Sequence, residues 1–141
     1  RGGHLGGRVV AARTDGPMTL LLVALAGGLG AAARYLVDLV VSARQSGSVP
    51  RATVVVNASA CLLLGLLTGV ATGLGDPGVL LAVVGVGLLG GYSTFSTASL
   101  EAARLLLTDG PRAGLVHAAV MLVTSTAAAV LGLAVGTLLV R

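Results

Sequence analysis

The seven residues Ser93–Ser99 hold three serines, two threonines and Phe95, the only phenylalanine of the chain. Hydroxyls donate hydrogen bonds to an anion, and an aromatic ring presents a positive edge to one. Phe95 and Ser99 share a helical face with Ala98 beside them, whereas Ser96 and Thr97 fall on another. Gly85, Gly87, Gly90 and Gly91 come just before. Glycine pairs and Ser/Thr groups are where an apolar helix breaks, and carbonyls freed by such a break hold cations. The segment therefore reads as a broken helix that offers carbonyls to a cation and hydroxyls plus a ring edge to an anion. The competing reading is Ser/Thr packing at a tight helix interface.

Other polar groups lie in apolar surroundings. Asn57 sits early in VVVNASACLLLG, where an unpaired carboxamide would cost several kcal/mol. It is either an interhelical hydrogen-bond partner or a donor lining a pathway. Arg34 closes an apolar run and stands four residues before Asp38, so the two can pair on one helix face. Otherwise Arg34 snorkels to the interface or draws an anion toward a pore mouth. His117 reads as an interfacial polar residue, with a proton relay as the alternative. Ser125, between Thr124 and Thr126, is placed to continue an anion track. The lone Cys61 excludes an internal disulfide and reads as a buried structural thiol.

These residues must be carried by membrane helices. The chain has 141 residues, 55% of them hydrophobic and only 10% charged; so short a chain cannot bury that much apolar surface in an aqueous core. Four stretches free of charge, 18–33, 52–75, 78–100 and 113–140, have the length and composition of spanning helices, the first continuing through Arg34 and Asp38 to about Ser42. The fold class expected is an all-α membrane protein with four transmembrane helices, the third broken near its middle. GDPG at 75–78 and TDGPR at 108–112 are tight turns. Residues 1–17 read as a disordered extension, or as sequence upstream of a start at Met18, and 18–141 as one four-helix domain. Four short helices enclose little volume, so a transport path between subunits of an oligomer is expected. Counted from Met18, one side carries only Arg141 and the other Arg34, Arg44, Arg51, Arg104 and Arg112, which places both termini outside. Including Arg1, Arg8 and Arg13 nearly cancels that bias.

Some classes are excluded. GGLGAAAR, 27–34, has the glycines of a dinucleotide loop but neither the strand nor the soluble helix it needs. Its role is close packing, with Gly27/Ala31 and Gly28/Ala32 as small-residue ridges. The net charge of +4 comes from scattered arginines, which flank helices and do not form a nucleic-acid surface. No metal-ligand cluster or base beside a nucleophile speaks for an enzyme.

GGLGAAARY, VNASACLLLG and GGYSTFSTASLE, in that order and spacing, resemble the small fluoride channels called CrcB or Fluc. The resemblance runs from Met18 to about Gly136. It implies an antiparallel dimer of four-helix subunits in the cell membrane, with two fluoride pores and a central structural Na+. By motif position it implies that Asn57, Phe95 and Arg34 belong to the fluoride pathway. Ser96, Thr97, Ser99 and Ser125 complete the candidate track. It further implies that the backbone carbonyls of Gly90 and Ser93 hold the sodium. The chain departs from the pattern at Ala98, where a second phenylalanine is usual, and at His117 and Met121, where a tyrosine and a serine are. Those departures, with the arginine bias, point to a heterodimer with a related subunit of opposite orientation, the homodimer being the simpler alternative. A small antiparallel multidrug-type transporter would need a carboxylate at mid-membrane, whereas Asp38, Asp76 and Asp109 lie at helix ends or turns and Glu101 at the end of the polar segment. A non-transporting assembly subunit has little use for Asn57 or a broken helix.

Overall fold

The computed structural model describes residues 16–44 and 50–141; most of the expected N-terminal extension and part of the first loop lie outside the described residues. Every regular element described is helical. Helix α1 (Pro17–Ala43) opens with a proline in its first turn, where the missing N–H has no partner to lose. Helix α2 (Ala52–Ala71) follows. Element α3, 78–92, starts as Gly78–Leu80, widens into π-helical hydrogen bonding over Leu81–Leu89 and regains α geometry at Gly90–Tyr92. Two extended residues, Ser93 and Thr94, separate it from α4 (Phe95–Thr108). Helix α5 (Pro111–Leu139) completes the chain. Counting 78–108 as one interrupted span, four segments are long and apolar enough to cross a membrane.

The turns follow from their residues. Asp76 Oδ1 accepts from Gly78 N–H at 3.2 Å, an Asx turn that launches α3. Gly110 has φ 95°, a left-handed conformation that side chains resist, and α5 begins at the next residue.

Packing is a matter of glycine. α2 lies along α5, α1 along α3, and α4 against α5. On α2, Gly65 and Gly69 meet the α5 backbone at Ala129, Leu133 and Thr137; on α5, Gly132 and Gly136 meet the α2 backbone at Leu62, Leu66 and Val70. A Cβ on Gly69 would stand 2.6 Å from Leu133 O. Two glycine pairs at i, i+4 thus interlock, and the backbones come into direct contact. α1 uses Gly27 and Gly30 against Gly87, Leu88, Gly91 and Tyr92. The expected Gly28/Ala32 ridge does not pack: a Cβ on Gly28 would meet nothing within 4 Å, and Ala32 is exposed. The packing face is set by Gly30 instead.

Little else is buried. Val56, Leu89 and Leu105 are among the few larger side chains in the core, while Leu and Val side chains of every helix point outward. Such an apolar exterior suits hydrocarbon and not water. The chain is a multi-pass membrane protein.

Candidate functional site

The break in the third span is stabilised from two directions. Ser93 (φ −75°, ψ 163°) and Thr94 (φ −150°, ψ 119°) leave the helix. Thr94 then caps α4, its Oγ1 accepting from Thr97 N–H at 3.2 Å, the task for which threonine is suited. Asn57 of α2 supplies the other support. Its Nδ2 donates to Thr94 O at 2.8 Å, and Thr94 N–H donates to its Oδ1 at 2.8 Å. The carboxamide replaces both bonds that a continuous helix would give this peptide, which an apolar membrane interior requires. Above the break, Ser59 Oγ donates to Val56 O at 3.0 Å and shares a hydrogen bond with Tyr92 Oη at 2.9 Å.

The break also leaves acceptors free. In a continuous helix, Gly90 O would accept from Thr94 N–H and Ser93 O from Thr97 N–H. Those donors are taken by Asn57 and by the Thr94 hydroxyl. The carbonyls of Gly90 and Ser93 therefore lose the donors a continuous helix would give them.

A cavity of about 640 Å³ lies beside this junction, bounded by α2, the break, α4 and α5. Of the candidates read from sequence, Asn57, Phe95, Ser99, Ser125 and the linker residue Ser93 line it. Asn57 is thus both a hydrogen-bonded strut of the break and part of the cavity wall. Phe95 stands at the lip, 87% exposed in the single chain. Ala98 and Met121 also line it, so two of the three departures from the family pattern fall in the cavity wall, while His117 does not line it.

Other expected residues lie elsewhere. Arg34 and Thr97 line a smaller cleft of about 140 Å³ with Tyr35, Asp38 and Thr53. Ser96 lines neither and is exposed, its hydroxyl 3.4 Å from Thr94 Oγ1. The candidate pathway thus divides between two spaces, with Thr94 bordering both. Arg34 and Asp38 share the cleft, but no salt bridge joins these two described residues, and Arg34 Nε is buried without a hydrogen-bond partner. Cys61 is half-buried in the cavity wall and not a core thiol. Thr124 turns its hydroxyl back to Val120 O at 2.7 Å, leaving Ser125 alone of its trio in the wall.

Three residues matter more than their sequence positions announced. Among the described residues, the buried polar side chains are Thr53, Asn57 and His117. Thr53 Oγ1 donates to Glu101 Oε1 at 2.7 Å, and His117 Nε2 lies 3.5 Å from Glu101 Oε2. His117 is buried against its neighbours, at 4% exposure. Glu101, at the end of the polar segment, is held between α2 and α5. The available signal was the i, i+4 spacing of Thr53 and Asn57, which turns both toward one neighbour.

Comparison with known proteins accords with this arrangement. The profile of the family described as CrcB-like protein, Camphor Resistance (CrcB), matches residues 21–137. The chain is 47% identical over 121 residues to a protein of Cutibacterium acnes named fluoride-specific ion channel FluC 2, an alignment covering 85% of this chain and 98% of that protein. It is 44% identical over 124 residues to fluoride-specific ion channel FluC 1 of Leifsonia xyli, covering 88% and 90%. A FluC of a Methylobacterium species is 41% identical over 127 residues, covering 88% and 97%. The matched span takes in all four membrane-crossing segments, the break and Asn57, and the chain belongs to the CrcB family.

Proposed function

We propose that the protein is a fluoride-selective channel of the plasma membrane that lets cytoplasmic fluoride leave passively and so limits its toxicity. The carrying observation is the interrupted third span, locked open by Asn57 and facing a cavity lined by Ser99, Ser125 and the Phe95 ring. The names of its relatives support the same ion. Hydrogen fluoride crosses membranes neutral, ionises inside and is trapped; a pore that offers hydroxyls, an amide and a ring edge in place of water releases the anion. No reacting group is needed for that, and we read the protein as a conductor, not an enzyme.

We further propose that it works as an antiparallel dimer. A wall residue such as Phe95, 87% exposed in one chain, gains a counterpart only if a second subunit closes the cavity. The carbonyls of Gly90 and Ser93, left without helical donors, would hold a Na+ ion at the subunit junction, and this ion would supply a fixed positive charge tying the two breaks together. Ala98, His117 and Met121 favour a related subunit over a second copy as the partner. Relatives numbered FluC 1 and FluC 2 accord with more than one such chain per organism.

The test is fluoride efflux from liposomes that hold this chain alone, then this chain with its related subunit. Efflux in either sample that exceeds chloride efflux at least tenfold supports the channel; efflux only from the mixture fixes the heterodimer. Absence of efflux from both overturns the reading. A coupled small transporter has one observation in its favour, the carboxylate of Glu101 held among helices. That reading requires export driven by a proton gradient, and fluoride movement that follows its own gradient alone removes it.

A further inference from the structure

We propose that Glu101 and His117 form a proton-holding pair whose charge sets the rate of ion passage, so that flux falls as pH rises. The proposal rests on reading the cavity as an anion pathway. Glu101 Oε1 is satisfied by the Thr53 hydroxyl at 2.7 Å. Its Oε2 and His117 Nε2 are both buried, both without a hydrogen bond, and face each other at 3.5 Å. Two unpartnered polar atoms in a membrane interior are costly apart. One proton held between them gives each a partner after a closure of about 0.5 Å.

The position makes that proton consequential. Ala102 and Ala118, the chain neighbours of Glu101 and His117, line the cavity. Met121 and Ser125 continue the His117 face of α5 along its wall. With one proton the pair is neutral, as imidazole plus carboxylic acid or as imidazolium plus carboxylate. Neither side chain lines the cavity itself, but without the proton a full negative charge stands one residue behind its wall and repels an anion across a poorly solvated gap.

The charges around the pair come from each neighbouring element. α2 brings the neutral Thr53 and, at its N-terminal end, Arg51; α4 brings the exposed Arg104; α5 brings the exposed Arg112; α1 brings Arg34 and Asp38 through the cleft that Thr53 also lines. The arginines stay charged throughout, and Asp38 is exposed.

The experiment is fluoride efflux from liposomes between about pH 5 and about pH 8, the range in which imidazole changes charge, with leak from protein-free liposomes subtracted. Wild-type flux should fall about tenfold across that range, the effect of one charge across a partly hydrated gap. His117→Gln should flatten the profile, and Glu101→Gln should raise flux at the high-pH end, where the wild-type pair carries its negative charge. A flat wild-type profile with ordinary flux overturns the proton pair and leaves the channel standing. Infrared titration of the reconstituted protein reads the pair without any flux. A pH-dependent change in the carboxyl region, either loss of a carboxylic-acid band or a shift of the carboxylate band, that is absent in Glu101→Gln and moved in its midpoint by His117→Gln supports the pair. A band indifferent to His117 overturns it, even if no efflux is seen at any pH, an outcome that would sink the channel reading separately.

Discussion

Toward Ala71, α2 meets α5 through glycine; toward Ala52, the same helix meets the helix break and α4 through hydrogen bonds. Gly65 and Gly69 interlock with Gly132 and Gly136, backbone on backbone, with no polar side chain involved. Thr53 and Asn57 reach across to Glu101 and Thr94. Glycine contact fixes distance and excludes any cavity. Hydrogen bonds hold chain segments at arm's length, so that an interrupted helix and an adjacent space of about 640 Å³ can persist. One half of the helix is therefore scaffold, and the other is the frame of the cavity.

The difference is most sharply broken at Asn57. Asn57→Asp keeps an acceptor for Thr94 N–H but loses the donor to Thr94 O and sets a carboxylate against that carbonyl. A buried acceptor without its donor costs about 1–3 kcal/mol, more when charge is involved. Fluoride flux should fall on the order of 100-fold, since the new charge also faces the cavity. Flux at wild-type level from the aspartate variant would remove Asn57 from the pathway.

On the glycine side the loss should fall on stability and spare conduction. Gly65→Val puts a side chain into the backbone of Ala129 and Leu133, and α2 must move off α5. Overpacking of this kind costs about 1–3 kcal/mol, visible as a lower thermal midpoint in detergent. The protein that still inserts should conduct at close to the wild-type rate per molecule. If conduction fell while the midpoint held, the α2–α5 seam would belong to the pathway as well.

The sequence disclosed these two regions unequally. Charge-free length was enough for four spans, and Gly90, Gly91 and the Ser/Thr cluster were enough for the break, because each rests on a local rule about membrane backbone. Asn57 was legible as a buried amide in need of a partner, but its partner was not, because Thr94 contributes only its peptide group. That Glu101 and His117 face each other was not legible, since hydropathy along one helix cannot tell which face a neighbour covers. The same blindness misjudged Gly28: spacing alone cannot choose between Gly27 with Gly30 and Gly28 with Ala32 on adjacent faces of α1.

Phe95 tests the rim of the cavity at smaller effect. The ring is 87% exposed in the single chain, so Phe95→Ile should leave the fold of the subunit within about 0.5 kcal/mol. If the ring edge meets the anion, flux falls about tenfold, as befits losing a contact of roughly 1–1.5 kcal/mol. Wild-type flux at unchanged stability would reduce the ring to packing against lipid or a partner.

The smallest effect should come from Gly28, which spacing along α1 leaves equivalent to the tightly packed Gly30. A Cβ on Gly30 overlaps the backbone of Leu88 and stands 2.8 Å from Tyr92 N, within the turn that precedes the break. A Cβ on Gly28 meets nothing within 4 Å. Gly30→Ala should therefore lower the thermal midpoint and reduce flux, because it pushes α1 off the end of α3. Gly28→Ala should be neutral, or raise stability by up to about 1 kcal/mol through helix propensity. A loss of assembly in Gly28→Ala with the subunit still folded would place the partner subunit on that open face of α1, since a methyl group there can disturb only what the single chain does not contain.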